Sequence, residues 1–159
     1  ATAINLANEV FTDALGLTDQ EDGEANTQMM RVSGIAANIP ILEYCKDGWY
    51  LPARNEMEAV FNAYNGGPSQ SIGLKPDAIK QEEKDARAAW DKILTDNGGD
   101  VMYVKADNTA GDSYFTSTEA DDASKVFYVR FGQWNPGLTG AKYAKSPARY
   151  VRCIRKISK

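Results

Sequence analysis

The hydrophobic period changes once along this chain of 159 residues, from a helical period in the first two thirds to a strand period in the last. Apolar residues three and four apart predict a helix over residues 54–64 and another over residues 78–95. Shorter apolar runs then predict strands at 114–117, 126–131 and 150–157. Helices followed by strands, rather than alternating with them, indicate an α+β fold.

The whole chain, residues 1–159, is predicted to be one domain, because it contains no internal repeat and no low-complexity linker. Asn26 or Thr27 is a candidate cap for an earlier helix that continues to Ala37. Residues 5–15 have the spacing of a short helix or turn.

Later parts of the chain are patterned less clearly. The apolar stripe of the helix at 78–95 includes Trp90, Ile93 and Leu94, which we expect to face the core. Residues 101–104 predict a further strand. In residues 132–148 the glycines and a proline favour a shaped loop over a long strand.

The chain has no histidine, which removes several kinds of functional site at once. Ser-His-Asp and Cys-His catalysis, histidine zinc sites and histidine pH switches all require that side chain. Two cysteines cannot supply a four-cysteine zinc site. No run of about 18 apolar residues is present, so we expect no membrane insertion by this domain.

Charge is distributed unevenly along the sequence. Residues 1–80 carry five basic and eleven acidic side chains, whereas residues 125–159 carry nine basic side chains and no acidic one. This asymmetry marks either a surface for an anionic ligand or basic strands that pair with the acidic half within one fold. The net charge of −4 argues against general nucleic-acid binding, and no phosphate-binding loop motif is present.

Four short motifs occur in a recognisable order. They are Asp-Gly-Glu-Ala-Asn-Thr at 22–27, Gly-Trp-Tyr-Leu-Pro-Ala-Arg-Asn-Glu-Met at 48–57, Tyr-Phe-Thr-Ser-Thr-Glu at 114–119 and Tyr-Val-Arg-Cys-Ile-Arg at 150–155. Together they make the chain, over about residues 22–157, resemble a bacterial surface-protein domain of the C-type-lectin-like class. That class includes formylglycine-generating-enzyme-like domains, the C-terminal domains of collagen-like adhesins and retroelement-diversified variable proteins.

The resemblance implies a C-type-lectin-like fold, with helices packed on a small twisted antiparallel sheet and long irregular loops. It implies that Trp49 anchors the helices to the sheet, and that Ser117, Thr118 and Glu119 end a core strand and bond nearby backbone. Members of the class often begin with a β-hairpin, whereas only about twenty residues precede Asp22 here. The sheet is therefore expected to be smaller, or to have its first strand within residues 1–6.

The resemblance also bears on the two cysteines. In this fold the helix that ends near Cys45 packs against the last strand, which contains Cys153, and animal members often join the two by a disulfide. The alternatives are two buried thiols or, less favoured, an activated Cys153 beside Arg152 and Arg155. Strand alternation disfavours activation, since it would turn Cys153 away from both arginines. A disulfide would imply an extracytoplasmic location, at the cell surface or secreted.

Enzyme, lectin and metal-free binder are the three functions to compare. Formylglycine-generating relatives use a second cysteine near the C-terminal one, and this chain has none there. Sugar-binding relatives use calcium, which needs six to eight oxygen ligands, yet no carboxylate side chain follows Asp122. We therefore expect no enzymatic activity, no cofactor and no metal, with an oxidoreductase or a calcium-dependent lectin as lesser alternatives.

A metal-free binding domain fits residues 120–149 best, because aromatic and arginine side chains lie there in irregular sequence, as in antibody loops. The expected partner is a host or bacterial surface protein or an anionic glycan. Whether this region varies between copies, as in retroelement-diversified relatives, or is fixed stays open, and so does a structural role as a pilus tip or fibre cap. By the resemblance, the candidate ligand-binding residues are Asp121, Asp122, Ser124, Tyr128, Trp134, Asn135, Leu138 and Tyr143, with Ala120 also expected to be exposed.

Overall fold

A computed structural model describes residues 3–4, 15–67, 80–102, 113–121, 125–131, 137–144 and 149–157; for residues 3, 4, 137–144 and 149 it describes the backbone alone. The chain is a mixed α+β protein, as predicted. In chain order its elements are β1 (Ala3–Ile4), α1 (Gly23–Val32), α2 (Ile41–Tyr44), α3 (Arg54–Tyr64), α4 (Gln81–Asp96), β2 (Ser113–Glu119), β3 (Lys125–Arg130), β4 (Gly137–Ala144) and β5 (Arg149–Tyr150).

The described strands form one sheet in the order β1-β5-β2-β3-β4. Strands β2 and β5 are parallel, and the other neighbours are antiparallel. The first strand pairs Ala3 with Tyr150, in agreement with a strand within residues 1–6. The helix or turn predicted at 5–15 lies outside the described residues except for Leu15, which has no regular structure.

Two hydrophobic clusters lie on opposite faces of the sheet. Tyr114 and Phe115 are neighbours on β2, so their side chains point to opposite faces. Phe115 belongs to the cluster that includes Met30 of α1, and Tyr114 belongs to the cluster that includes Phe61 of α3. Every residue of β2 is buried, which makes this strand the centre of the domain.

Helix α1 begins earlier than predicted. Asp22 caps it, because its side chain accepts a hydrogen bond from the Ala25 N–H. The candidate caps Asn26 and Thr27 are instead buried inside the helix, and the helix ends at Val32 rather than Ala37. A short 3₁₀ turn at Ala36–Asn38 and then α2 follow.

The second half of the chain departs from the predicted strands in three places. The predicted strand at 150–157 is reduced to β5 and one isolated bridge between Ile154 and Tyr50. Residues 101 and 102 are not in a strand, and residues 103 and 104 lie outside the described part. Strand β4 occupies much of the segment that was predicted to be a shaped loop.

Candidate functional site

The Glu56 carboxylate joins the first two motifs. Its Oε2 accepts hydrogen bonds from the Gly23 and Ala53 N–H groups, both at 2.9 Å, and its Oε1 accepts one from the Tyr50 hydroxyl at 3.1 Å. Gly23 is required by close packing: a Cβ there would lie 2.3 Å from the Leu51 carbonyl oxygen. Glu56 is therefore a structural carboxylate that fixes where α1 and α3 begin.

The third motif is hydrogen-bonded to the second motif and to the segment that precedes α1. The Ser117 N–H donates to the Pro52 carbonyl at 2.8 Å. The Thr118 hydroxyl donates to the Asp19 carbonyl at 2.9 Å and accepts from the Arg54 N–H at 3.0 Å. The prediction that this motif bonds nearby backbone is thus confirmed for Ser117 and Thr118.

Glu119 has a similar role at the end of β2. Its carboxylate accepts hydrogen bonds from the Leu15 N–H at 2.9 Å and from the Leu17 N–H at 3.1 Å. The side chain is 8% exposed. These bonds hold the incoming chain against the sheet, as the same prediction states for Glu119.

Tyr50 of the second motif is buried, and its backbone pairs with Ile154 of the C-terminal segment. Desolvation, and then the neighbouring Glu56 carboxylate, raise the pKa of Tyr50 to about 12. The Tyr50 hydroxyl therefore stays protonated at neutral pH and donates to Glu56. Lys156 lies 5.8 Å from the Tyr50 ring centroid and bonds the Glu24 carboxylate at 2.9 Å, which ties the last segment to the start of α1.

Cys45 and Cys153 form a disulfide, the pairing that the resemblance implied. The two residues are 108 positions apart in sequence, and their Cα atoms are 5.4 Å apart. Cys45 follows the short helix α2, and Cys153 lies just after β5. The disulfide therefore joins the helical half of the chain to its C-terminal segment.

Trp49 does not anchor the helices to the sheet. Its side chain is 39% exposed, and the Arg155 guanidinium lies 4.9 Å from the centroid of its ring. Leu51, which is fully buried in the cluster beside Met30, fills the core position instead. The expectation for Trp49 was wrong because a large aromatic side chain also suits a half-open surface.

The candidate ligand-binding residues do not form one continuous exposed face. Asp121 is exposed, as expected. Tyr128 is 4% exposed and Ala120 is 9% exposed, so both are buried in or beside β3. The expectation that they face a ligand was wrong, and both belong to the scaffold. The candidates Asp122, Ser124, Trp134 and Asn135 lie outside the described residues.

Strand register separates two further candidates. Tyr143 pairs with Val126 near the start of β3, and Leu138 pairs with Val129 near its end. Their partners Val126 and Val129 are three positions apart on β3, or about 10 Å, because β4 has an irregularity opposite Phe127 and Tyr128. The Ala120 N–H donates to the Lys125 carbonyl at 3.0 Å and closes the β2–β3 hairpin at the end where Tyr143 lies.

A cavity of about 570 Å³ opens beside Asp121. The Arg54 guanidinium lies 4.4 Å from the ring centroid of Phe127 in its wall. Among the described residues, the buried Arg54 Nε has no hydrogen-bond partner. The cavity is lined by the segment before the first motif, by the start of α3 and by the β2–β3 hairpin. The lining residues are Gly16, Thr18, Gln20, Arg54, Thr118, Glu119, Ala120, Asp121 and Phe127.

A second cavity, of about 590 Å³, was missed by sequence reasoning. It lies between α3, α4 and the C-terminal segment, and we call it the Trp49–Trp90 groove. The available signal was two tryptophans and the arginines Arg152 and Arg155, but the tryptophans lie far from the arginines in sequence. The groove is lined by Trp49, Val60, Trp90, Ile93, Leu94, Asn97, Gly99, Met102, Arg152, Cys153, Ile154, Arg155 and Ile157.

Within the described ranges, no three His, Cys, Asp or Glu side chains are grouped so as to hold a metal ion. None of the helices in that part of the chain is long and apolar enough to cross a membrane.

Comparison with protein-family models, with curated proteins and with solved structures gave no match to this chain.

Proposed function

We propose that this chain is a non-enzymatic ligand-binding domain with a C-type-lectin-like fold, which acts at the cell surface or after secretion. The disulfide between Cys45 and Cys153 supports the location, because such bonds persist in oxidising compartments. The network around Glu56 supports the fold, because it bonds together three of the motifs on which the resemblance rests.

Two hydrogen-bonded carboxylates support a binding role over an enzymatic one. Glu56 is held by two backbone N–H groups and a tyrosine hydroxyl, and Glu119 by two further N–H groups. A general acid or base needs to exchange a proton with substrate. Both carboxylates are instead used to position the backbone.

The pairing register of β3 and β4 is the main observation that supports the proposed ligand site. It brings Tyr143 to the hairpin end where Asp121 and the Arg54–Phe127 cavity lie. Leu138 lies about 10 Å away along the β3–β4 pair, near the other end of β3, and Trp134 and Asn135 precede it in sequence. A ligand that contacts both groups covers most of the length of β3, and a broad contact of this kind favours a surface protein as the partner.

An anionic glycan is the second candidate ligand. The nine basic residues of segment 125–159 favour it, since the segment contains no acidic side chain. Glu119 and Asp121 in the cavity wall favour the protein instead.

The domain is also proposed to be a retroelement-diversified variable protein. Sequencing the end of the gene across a growing population tests this idea.

Binding to arrays of surface proteins and acidic glycans tests this proposal. The labelled domain is compared with Asp121→Lys and Trp134→Ala, and with Glu43→Lys as a charge-matched control on α2. We expect each of the first two changes to weaken binding by about tenfold or more, the effect of a central interface residue. Glu43→Lys should bind like the wild type, and all variants should keep its melting temperature.

Three results would contradict the proposal. One is unchanged binding by both Asp121→Lys and Trp134→Ala. Another is equal loss of binding in Glu43→Lys. The third is a stable oligomer in which other copies of the chain cover this surface. That result would support a fibre cap or another assembly role.

A further inference from the structure

The Trp49–Trp90 groove exposes large apolar side chains. Ile93 of α4 is 61% exposed and Ile157 is 83% exposed, in addition to the 39% exposure of Trp49. All three line the same cavity. A grouped set of exposed apolar side chains usually marks a binding surface, whereas single ones are common anywhere.

Two arginines give the groove a positive charge. Of the residues that the structure describes, thirteen line it, and these include Arg152 and Arg155 and no aspartate or glutamate. Arg155 stacks over the Trp49 ring, an arrangement that leaves the edge of a guanidinium able to donate hydrogen bonds. The groove therefore combines an apolar, aromatic lining with positive charge.

Arg152 is held in position by the backbone. Its Nη2 donates to the Asp100 carbonyl at 2.9 Å and to the Val101 carbonyl at 3.2 Å. Its Nε is buried and, within the described part of the chain, has no hydrogen-bond partner. A buried guanidinium N–H without a partner is costly, and the attraction between Arg152 and an acidic group in the groove would offset that cost.

We propose that the Trp49–Trp90 groove binds a small amphiphilic anion. An aromatic or branched apolar body would lie between the two tryptophans, and its acidic group would bind Arg155 and Arg152. The volume of about 590 Å³ is in the range of small-molecule sites. This site is separate from the proposed ligand face, because none of the described residues that line it also lines the cavity beside Asp121.

A pair of fluorescent probes that differ in charge tests the proposal. The charged probe is 1-anilinonaphthalene-8-sulfonate, and the uncharged one is N-phenyl-1-naphthylamine, which has the same ring system. We expect the sulfonate to bind with one site per chain, with energy transfer from tryptophan, and the uncharged probe to bind about tenfold or more weakly. One charge-assisted hydrogen bond in a desolvated groove accounts for such a ratio.

Variants separate the two parts of the site. Arg155→Gln should weaken binding of the sulfonate by about tenfold and leave the uncharged probe unchanged. Trp49→Leu should weaken both probes, and Lys84→Gln on the exposed side of α4 should change neither. Melting temperatures near that of the wild type show that each variant is folded.

Several outcomes would overturn the proposal. One is equal affinity for the two probes, and another is an Arg155→Gln variant that binds the sulfonate like the wild type. Light scattering that shows a dimer, lost in Trp49→Leu, would mean that a second copy of the chain covers the groove instead of a small anion.

Discussion

Replacing Gly23 by alanine should destabilise the domain by about 3 kcal/mol or more, because the added methyl group would enter occupied space. Its Cβ would lie 2.3 Å from the Leu51 carbonyl oxygen, 2.4 Å from the Ala53 nitrogen and 2.7 Å from Glu56 Oε2. Two of these are backbone atoms, which cannot move aside as a flexible side chain can. Relief would require α1 to shift away from the start of α3, with loss of the hydrogen bond between Gly23 and Glu56.

Gly34→Ala is the matched control for this change. A Cβ at Gly34 would meet nothing within 4 Å, so its stability should stay within about 0.5 kcal/mol of the wild type. Urea unfolding of both variants measures the difference, and melting should fall by about 6–12 °C for Gly23→Ala alone. Equal stability of the two variants would contradict the close packing of Gly23 against the second motif.

Removing the disulfide should cost roughly 4–5 kcal/mol of unfolding free energy, since it constrains a very long loop in the unfolded chain. The cysteines are 108 positions apart, close to the 100-residue loop for which the chain-entropy model gives about 4.7 kcal/mol. The measurement is urea unfolding with and without a reductant, with non-reducing mass measurement to establish the state of the bond.

The double variant Cys45→Ala with Cys153→Ala controls for effects of the reductant itself. Its unfolding midpoint should be low and independent of reductant, whereas the wild type should lose stability only when reduced. Cys45 is fully buried, so the double variant also loses some packing. A wild type that is shown to be reduced and yet unfolds at an unchanged midpoint would contradict a stabilising disulfide.

The sequence predicted best those elements whose signals are local. Helix α3 has the predicted bounds, Arg54–Tyr64, because an amphipathic stripe lies between Pro52 and the Asn65-Gly66-Gly67 end signal. The stripe on α4 was predicted less well. Trp90 and Leu94 pack on the core, but Ile93 is exposed, since it faces the open groove.

Long-range bonds explain why α1 was misplaced. Asn26 and Thr27 look like caps in sequence, yet both are buried because their side chains bond distant parts of the chain. Asn26 Nδ2 donates to the Ser117 hydroxyl at 3.2 Å, and the Thr27 hydroxyl accepts from the Leu51 N–H at 3.1 Å. No local pattern reveals partners that are 91 or 24 positions away.

The candidate site was predicted only in part, for a similar reason. Asp121 is exposed beside a cavity, but Tyr128 is buried, because strand β3 lies between β2 and β4. Strand alternation was also a poor guide at the C-terminus. Arg152, Cys153, Ile154 and Arg155 all line one groove, since this segment is not a regular strand.

We propose above all that different residues hold the fold and bind the ligand. A saturation library that is displayed on cells and selected for protease resistance tests it without knowledge of the ligand. We predict that almost every substitution at Gly23, Glu56, Ser117 and Tyr128 lowers the folded fraction. Most substitutions at Asp121, Asp122, Ser124, Trp134 and Asn135 should leave it unchanged. Equal intolerance in the second group would contradict the claim, because those residues would then belong to the scaffold.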